Sequence, residues 1–313
     1  MLKAGIFLDI ENLTRCGGWG MRYNVIRDLV AAQNMVVLRA NAYMSIDRQR
    51  EAQDEYYRQR QQSYREAIRR NGFHVVLKEI RRYNDSDGQT ITRANSDMDL
   101  AIDALLQAQN LDYVLLGSGD GDFVRLVRAL QNQGKRVDLL SFSNTGRALT
   151  EEVDYHFRGP LIPGLLPTPK DQPRRMRGLM HHVVEDKGFG FLNVWTSLKM
   201  GHLRDDVFCH ITDFTINGEP VSNQDFARLK AQQLIIEFDL LELEDGKVKA
   251  INATLHGNER IRRPQQRPGR RFDDDEEYDD EEYDDEYEDD EEYDDEYEDD
   301  EEYEDEGGDD EGE

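Results

Sequence analysis

Long apolar runs are missing from this 313-residue chain. No stretch approaches the ~18 residues that mark a membrane-crossing helix. Cysteine is scarce: Cys16 and Cys209 lie far apart, which excludes a disulfide scaffold and points to a reducing, cytoplasmic compartment. The first nine residues carry one Lys and a short apolar stretch that runs at once into an acid, so no signal peptide is expected. Bases are absent from residues 273–313, which hold 32 acids, six Tyr and three Gly. The first 272 residues therefore carry 35 acids against 39 bases, a net of +4, although the whole chain stands at −28. A near-neutral body bears a polyanionic tail. The acidic overall balance does not argue against nucleic-acid binding by that body.

What is present reads as two domains and a tail. In the first 160 residues apolar strands alternate with helix-like segments. Strands are expected at 3–8, 35–44, 73–80, 112–116 and 135–142. Helices are expected within 22–33, over 47–71, over 95–109 and over 123–133. In the 95–109 helix, Met98, Ile102 and Leu105 make an apolar stripe. Strand–helix alternation implies a largely parallel sheet covered on both faces. Pro160, Pro163, Pro167, Pro169 and Pro173 then mark a linker. Beyond it come short strand-like runs and Gly turns, with helix signal only around 223–231, as in a small all-β barrel. An Arg-rich arm and the tail follow. In the tail EEYDDEYEDD occurs twice in succession, and such a segment cannot bury a core and should be disordered.

Acids sit at informative places in the first domain. Asp9 ends the first strand in FLDIEN, Asp97 opens a helix in NSDMDLAID, and Asp120 and Asp122 follow the fourth strand in LLGSGDGDF. In open α/β sheets, ligands bind beyond the carboxyl ends of the strands, which would gather these acids at one edge. Clustered carboxylates repel one another unless a hard cation such as Mg²⁺ or Mn²⁺ lies among them. Such a site suits phosphodiester hydrolysis by a metal-bound water. No Walker-type lysine is present, and the acids of the glycine loop would repel a bare phosphate. Each Asp alone also reads as a helix cap or turn residue. Asp99 and Asp103 lie four apart on a helix and also read as solvated face.

FLDIEN, SDMDLAIDALL, YVLLGSGDGDFVRLV and GKRVDLLSF together resemble the NYN domain, in the LabA-like branch of the PIN-like nuclease superfamily. The resemblance spans about residues 3–157, with a domain placed at 1–158. It implies a PIN-like α/β fold and a divalent-metal ribonuclease acting on RNA. By that resemblance Asp9, Asp97, Asp120 and Asp122 hold Mg²⁺ or Mn²⁺, Asn12 is the polar residue after the first acid, and Asp103 matches a recurrent acid. Asp99 is extra. The LabA-like branch also contains proteins known mainly as regulators, which leaves a non-catalytic RNA-binding regulator as the alternative. Residues 48–82 carry ten bases against five acids with tyrosines between them. They read either as a phosphate-backbone wall or as an amphipathic helix with internal ion pairs.

In the second domain KGFGFL is followed by VFCHI. Alternating aromatics on adjacent strands point from one sheet face and offer a platform for unstacked bases, with the glycines letting nucleotides approach. GLMHHVVEDKGFGFL, DVFCHITDF and QQLIIEFDLLELEDGKVKAINATL resemble a cold-shock domain, an OB-like barrel, placed at 177–256 after a linker at 159–176. The resemblance implies that Phe189, Phe191, Phe208 and His210 stack on single-stranded RNA and that Lys187 meets its backbone. His182 stands where the first-strand tryptophan is usual, and Trp195, in a longer loop, is a substitute platform. Phe214 and Phe238 are expected in the core. The arm is placed at 257–272 and the tail at 273–313. The tail serves solubility, binds a basic protein, or mimics a single strand and competes with RNA.

Overall fold

The computed structural model describes residues 1–84, 90–93, 96–168, 175–244, 246–257 and 260–262, with backbone alone at 81–84 and 90–93. Most of the expected arm, the whole acidic tail and part of the expected linker lie outside the described residues.

The chain opens with β1 (Leu2–Asp9), α1 (Ile10–Leu13), a π-helical turn at Thr14–Gly18, α2 (Tyr23–Ala32) and β2 (Met35–Ile46). Then come α3 (Arg48–Gln53), α4 (Glu55–Arg70), β3 (His74–Glu79), a hairpin of β4 (Arg81–Asn84) and β5 (Thr90–Arg93), and α5 (Asp97–Gln107). β6 (Tyr113–Gly117), α6 (Val124–Asn132), β7 (Arg136–Ser141), α7 (Arg147–Glu152) and β8 (Tyr155–Arg158) complete the layer. The sheet runs β3-β2-β1-β6-β7-β8, and every pairing in it is parallel. Its two faces are separately buried: Ala4, Ile6 and Leu8 of β1 enter one core and Phe7 enters the other. That two-sided burial explains the continuous apolar strands. The strand order reverses between β1 and β6, which puts a switch-point crevice at their carboxyl ends.

Three local expectations are corrected, and one open choice is narrowed. The single helix over 47–71 is two, because Asp54 ends α3 and caps α4 by accepting the Tyr57 N–H (2.9 Å). The cations of that stretch are largely engaged. Arg65 is buried on Glu51 (2.7 Å), Arg58 pairs with Glu55, Arg48 with Glu79 and Lys78 with Asp99, while Arg50 and Arg60 lie over Tyr57 and Tyr56. This favours the ion-paired helix over a backbone wall. On α5 the buried residues are Leu100 and Ala104, and Met98 and Ile102 are exposed. The segment read as linker begins as part of the fold: Ile162, Leu165 and Leu166 are buried in the first core.

The C-terminal strands β9 (Arg175–Val184), β10 (Phe189–Trp195) and β11 (Leu203–His210) lead through the short pair β12 (Thr215–Ile216) and β13 (Glu219–Pro220) to α8 (Asn223–Ala231). β14 (Ile235–Glu242) and β15 (Val248–Leu255) follow. Five of these strands close a barrel in the order β10-β11-β15-β14-β9, antiparallel except for β11 with β15. This is consistent with an OB-like fold. Phe214, Phe226 and Phe238 fill its core.

The barrel is docked on the α/β layer rather than freely hung. Gln33 Nε2 donates to Leu198 O (2.8 Å), the Met200 N–H donates to Gln33 Oε1 (3.0 Å), and Trp195 meets Phe157 edge-on. Beside this contact His156 shares a hydrogen bond with the Ser141 hydroxyl (2.7 Å). Burial, helped by Arg158, pushes the His156 ring down to about 4. A depressed histidine contributes stability above its ordinary value of 6.5, and that stability is lost as pH falls from there through 4. Denaturant melts across this window are expected to show the parent losing about 2 kcal/mol more than His156→Gln. Parallel losses in the two proteins would reject the assignment.

Candidate active site and nucleic-acid interface

Asp9 stands where β1 passes into α1, and its geometry follows from both. One carboxylate oxygen caps the helix by accepting the Asn12 N–H (3.1 Å), and the other accepts the Ser118 hydroxyl (3.1 Å) at the end of β6. The Asn12 side chain crosses the same gap: its Oδ1 accepts the Gly119 N–H (2.6 Å). Ser118 Oγ accepts the Asp120 N–H (3.2 Å), and Asp120 Oδ1 accepts the Asp122 N–H (2.9 Å). Two strand ends, 109 residues apart in sequence at Asp9 and Ser118, are thus laced together at the switch point. The Asn12 carbonyl oxygen is committed to the loop, which makes Asn12 a positioning residue.

The electrostatics show which acids share the crevice. Burial pushes the Asp9 carboxyl up to about 6, with Asp97 and Glu11 adding to the rise and the Asn12 and Ser118 hydrogen bonds opposing it. Asp97, at the first turn of α5, is raised by burial and then by Asp120, Glu11 and Asp122, with Arg15 opposing. Asp97 thus lies within electrostatic reach of Asp9, Asp120 and Asp122. Glu11 joins them although the sequence reading passed over it. It accepts the Ser45 N–H (2.7 Å) and the Ser45 hydroxyl, which holds it at the end of β2. Its signal was its place two residues after Asp9. Asp99 and Asp103 are held elsewhere: Asp99 pairs with Lys78 (2.9 Å), and Asp103 accepts the Tyr43 hydroxyl (2.9 Å).

Among the described residues, no three His, Cys, Asp or Glu side chains form a ready-made metal cage. The donor set is nonetheless carboxylate oxygen throughout. Two of its members are pushed up by burial and mutual repulsion, and Arg15 is the cation that opposes the rise at Asp97. Carboxylate oxygen is the donor type that a hard divalent cation of the Mg²⁺ type takes, with few carboxylates and several waters. Cys209 lies in the barrel core, where burial pushes its thiol up to about 12.

On the barrel, β10 and β11 set Phe189 opposite His210 and Phe191 opposite Phe208. The rings form one outward cluster, with Phe189 and Phe208 centroids 5.6 Å apart, Phe191 and Phe208 5.8 Å, and Phe208 stacked on His210 at 6.3 Å. His182 lies 6.3 Å from Phe191 and extends the patch onto β9. Lys187 is exposed in the turn before Phe189. Two expectations are corrected. Trp195 belongs to the contact with the α/β layer, not to this cluster. Gly190 faces the barrel interior, where a Cβ would meet His182 O at 2.4 Å and Met180 Sδ at 2.6 Å. It serves the close approach of β9 and β10, not that of a nucleotide.

An α/β layer with acids at the switch point of a parallel sheet, joined to a five-stranded barrel with an aromatic face, defines the class. The chain belongs to the NYN domain family, whose profile matches residues 3–160. NYN domains form a PIN-like nuclease family, generally ribonucleases, which supports an RNA-related function. The chain is 32% identical over 85 residues to the Low amplitude and bright protein LabA of Synechococcus elongatus, covering 26% of this chain and 46% of that protein. It thus spans less than half the length of this curated relative. It is also similar to a solved protein of unknown function from Vibrio parahaemolyticus, 28% identical with a TM-score of 0.41, over 50% of this chain and 92% of that one. Among the described residues no helix is long and apolar enough to cross a membrane.

Proposed function

We propose that the chain is a metal-dependent endoribonuclease acting on single-stranded RNA, with its barrel, read as cold-shock-like, capturing the substrate. What supports this reading is that Ser118 ties Asp9 and Asp120 together at the carboxyl ends of β1 and β6, with Asp97 in electrostatic reach of both. Asp9, Asp97, Asp120 and Asp122 would hold Mg²⁺ or Mn²⁺, which when bound supplies charge stabilisation to phosphate oxygens and acidifies a water. The chain's own contribution is rigidity. Asn12 holds Gly119, Asp9 holds Ser118, and Asp120 caps Asp122, so the carboxylates are set before RNA arrives. Phe189, Phe191, Phe208 and His210 stack on unpaired bases, and Lys187 lies against the backbone. The test is incubation of labelled single-stranded RNA with Mn²⁺, comparing the parent with Asp120→Asn for both cutting and binding.

A second reading, a non-catalytic RNA-binding regulator, is favoured by the lack of a three-donor cage among the described residues. It expects both proteins to bind and neither to cut.

The tail is read as a modulator. Its 32 acids and six tyrosines resemble a polyanion with rings, able to compete with RNA or to bind a basic protein. Truncation after Arg271 is expected to tighten RNA binding most at low salt, where screening is weak. Equal affinities across a salt series would remove the competition idea.

A further inference from the structure

Beside the acidic crevice, one segment is built to display a single ring. The turn Thr14–Gly18 is π-helical, with Gly17 at φ 106°, and it directly follows α1. π-helical turns inside helices frequently mark functional sites. Several residues around Trp19 are tied down. Cys16 O accepts both the Ser143 N–H (2.9 Å) and the Ser143 hydroxyl (2.6 Å). Gly18 lies so close to Phe142 and Leu13 O that a Cβ would meet them at 2.5 and 2.6 Å. The Met21 N–H donates to Gly18 O (3.1 Å), and the Arg22 N–H donates to Leu165 O (2.8 Å). Yet Trp19 itself is 53% exposed, with one side near Tyr64 at 6.2 Å. A loop anchored this firmly could have turned the indole inward, and the hydrophobic effect favours that burial.

The ring borders an open hollow of about 320 Å³ whose other walls are Glu11, Thr14 and Arg15. Glu11, Arg15 and Trp19 therefore share one hollow. Glu11 is held at the end of β2 by Ser45, and both Glu11 and Arg15 act electrostatically on Asp97, which sets the hollow beside the acidic crevice. The hollow thus brings together a carboxylate, a guanidinium and an indole. The last two match one nucleotide of a single strand: phosphate on the cation, base on the ring. Trp is the best aromatic partner for this, and every base has a stacking face.

We propose that Arg15 and Trp19 form a nucleotide-binding step next to the carboxylate crevice, Arg15 meeting a phosphate and Trp19 the base of the nucleotide flanking the scissile bond. This rests on the reading of the crevice as the place where RNA is cut. It adds a second stacking position on the α/β layer, separate from the barrel cluster.

The test uses the full chain. The protein has two tryptophans, so Trp195→Phe leaves Trp19 as the sole reporter. Titration with oligoadenylate in Mg²⁺ is expected to quench its fluorescence. If Trp195→Phe does not fold, the difference in quenching between the parent and Trp19→Phe gives the same reading. In the cleavage assay, Trp19→Ala is expected to raise KM roughly 5- to 100-fold with a smaller change in kcat, and Trp19→Phe to recover most of the loss. Unquenched fluorescence while anisotropy reports bound RNA, or a Trp19→Ala KM within about two-fold of the parent's, would overturn the step. Should no protein cut RNA at all, the ribonuclease reading fails, and the quenching experiment still decides whether a base lies on Trp19.

Discussion

Asp120→Asn is expected to lower cleavage of single-stranded RNA by at least about 100-fold while leaving RNA binding and thermal stability in place. The substitution is nearly isosteric, and an amide oxygen can still accept the Asp122 N–H that Asp120 Oδ1 accepts at 2.9 Å. What changes is charge. Asp120 is the first carboxylate, after burial, among the causes raising Asp97. Its neutralisation removes a repulsion from the metal-free crevice, so the fold has no reason to weaken. It also removes one of the hard oxygen donors on which the proposed divalent-cation binding would rest. A melting temperature at or above the parent's with cleavage gone isolates the chemistry from folding. Cleavage at the parental rate would exclude the crevice as the reaction site and leave only RNA attachment.

The second large effect belongs to the barrel. The double variant Phe189→Ala, Phe208→Ala is expected to weaken binding of single-stranded RNA by about 100-fold or more, since stacking contributes roughly 1–3 kcal/mol per base. These two rings are neighbours at 5.6 Å and face outward, while Phe214, Phe226 and Phe238 hold the core. The barrel should therefore survive the loss, and circular dichroism with a melt can verify it. Cleavage of RNA supplied well above its dissociation constant should be nearly restored, because the Asp9–Asp120 crevice is untouched. Unchanged affinity would mean that the aromatic cluster is not the capture surface and would move attention to the α/β layer.

Much of the fold was legible because its signals are local. The apolar runs of β1 and β6 are short and end at an acid or a glycine, as strands buried on both faces often do. The KGFGF and VFCHI spacing put alternate rings on one face, and the pairing of Phe191 with Phe208 follows. Errors arose where two local patterns competed. α5 carries two apolar stripes, and periodicity alone cannot say which is buried; packing took Leu100 and Ala104 and left Met98 and Ile102 outside. Asp54 sits mid-way in a polar helical run, and its capping preference prevailed over continuation. The prolines after 159 read as a linker, but Ile162, Leu165 and Leu166 between them found a core to enter.

The site divides in the same way. That Asp9, Asp97, Asp120 and Asp122 end strands or begin helices is written in the chain, since those boundaries are matters of local residue pattern. Their meeting is not. Asp9 touches Ser118 only because β6 returns to lie beside β1, a choice made by long-range burial. Glu11 entering the group, Asp99 leaving it for Lys78, and Trp195 turning to Phe157 were settled by the same packing. So was the rise of the Asp9 carboxyl, which exists only once water has been removed from around it. Periodicity and charge are properties of neighbours along the chain; desolvation and convergence are properties of neighbours in space, and only the folded protein has those.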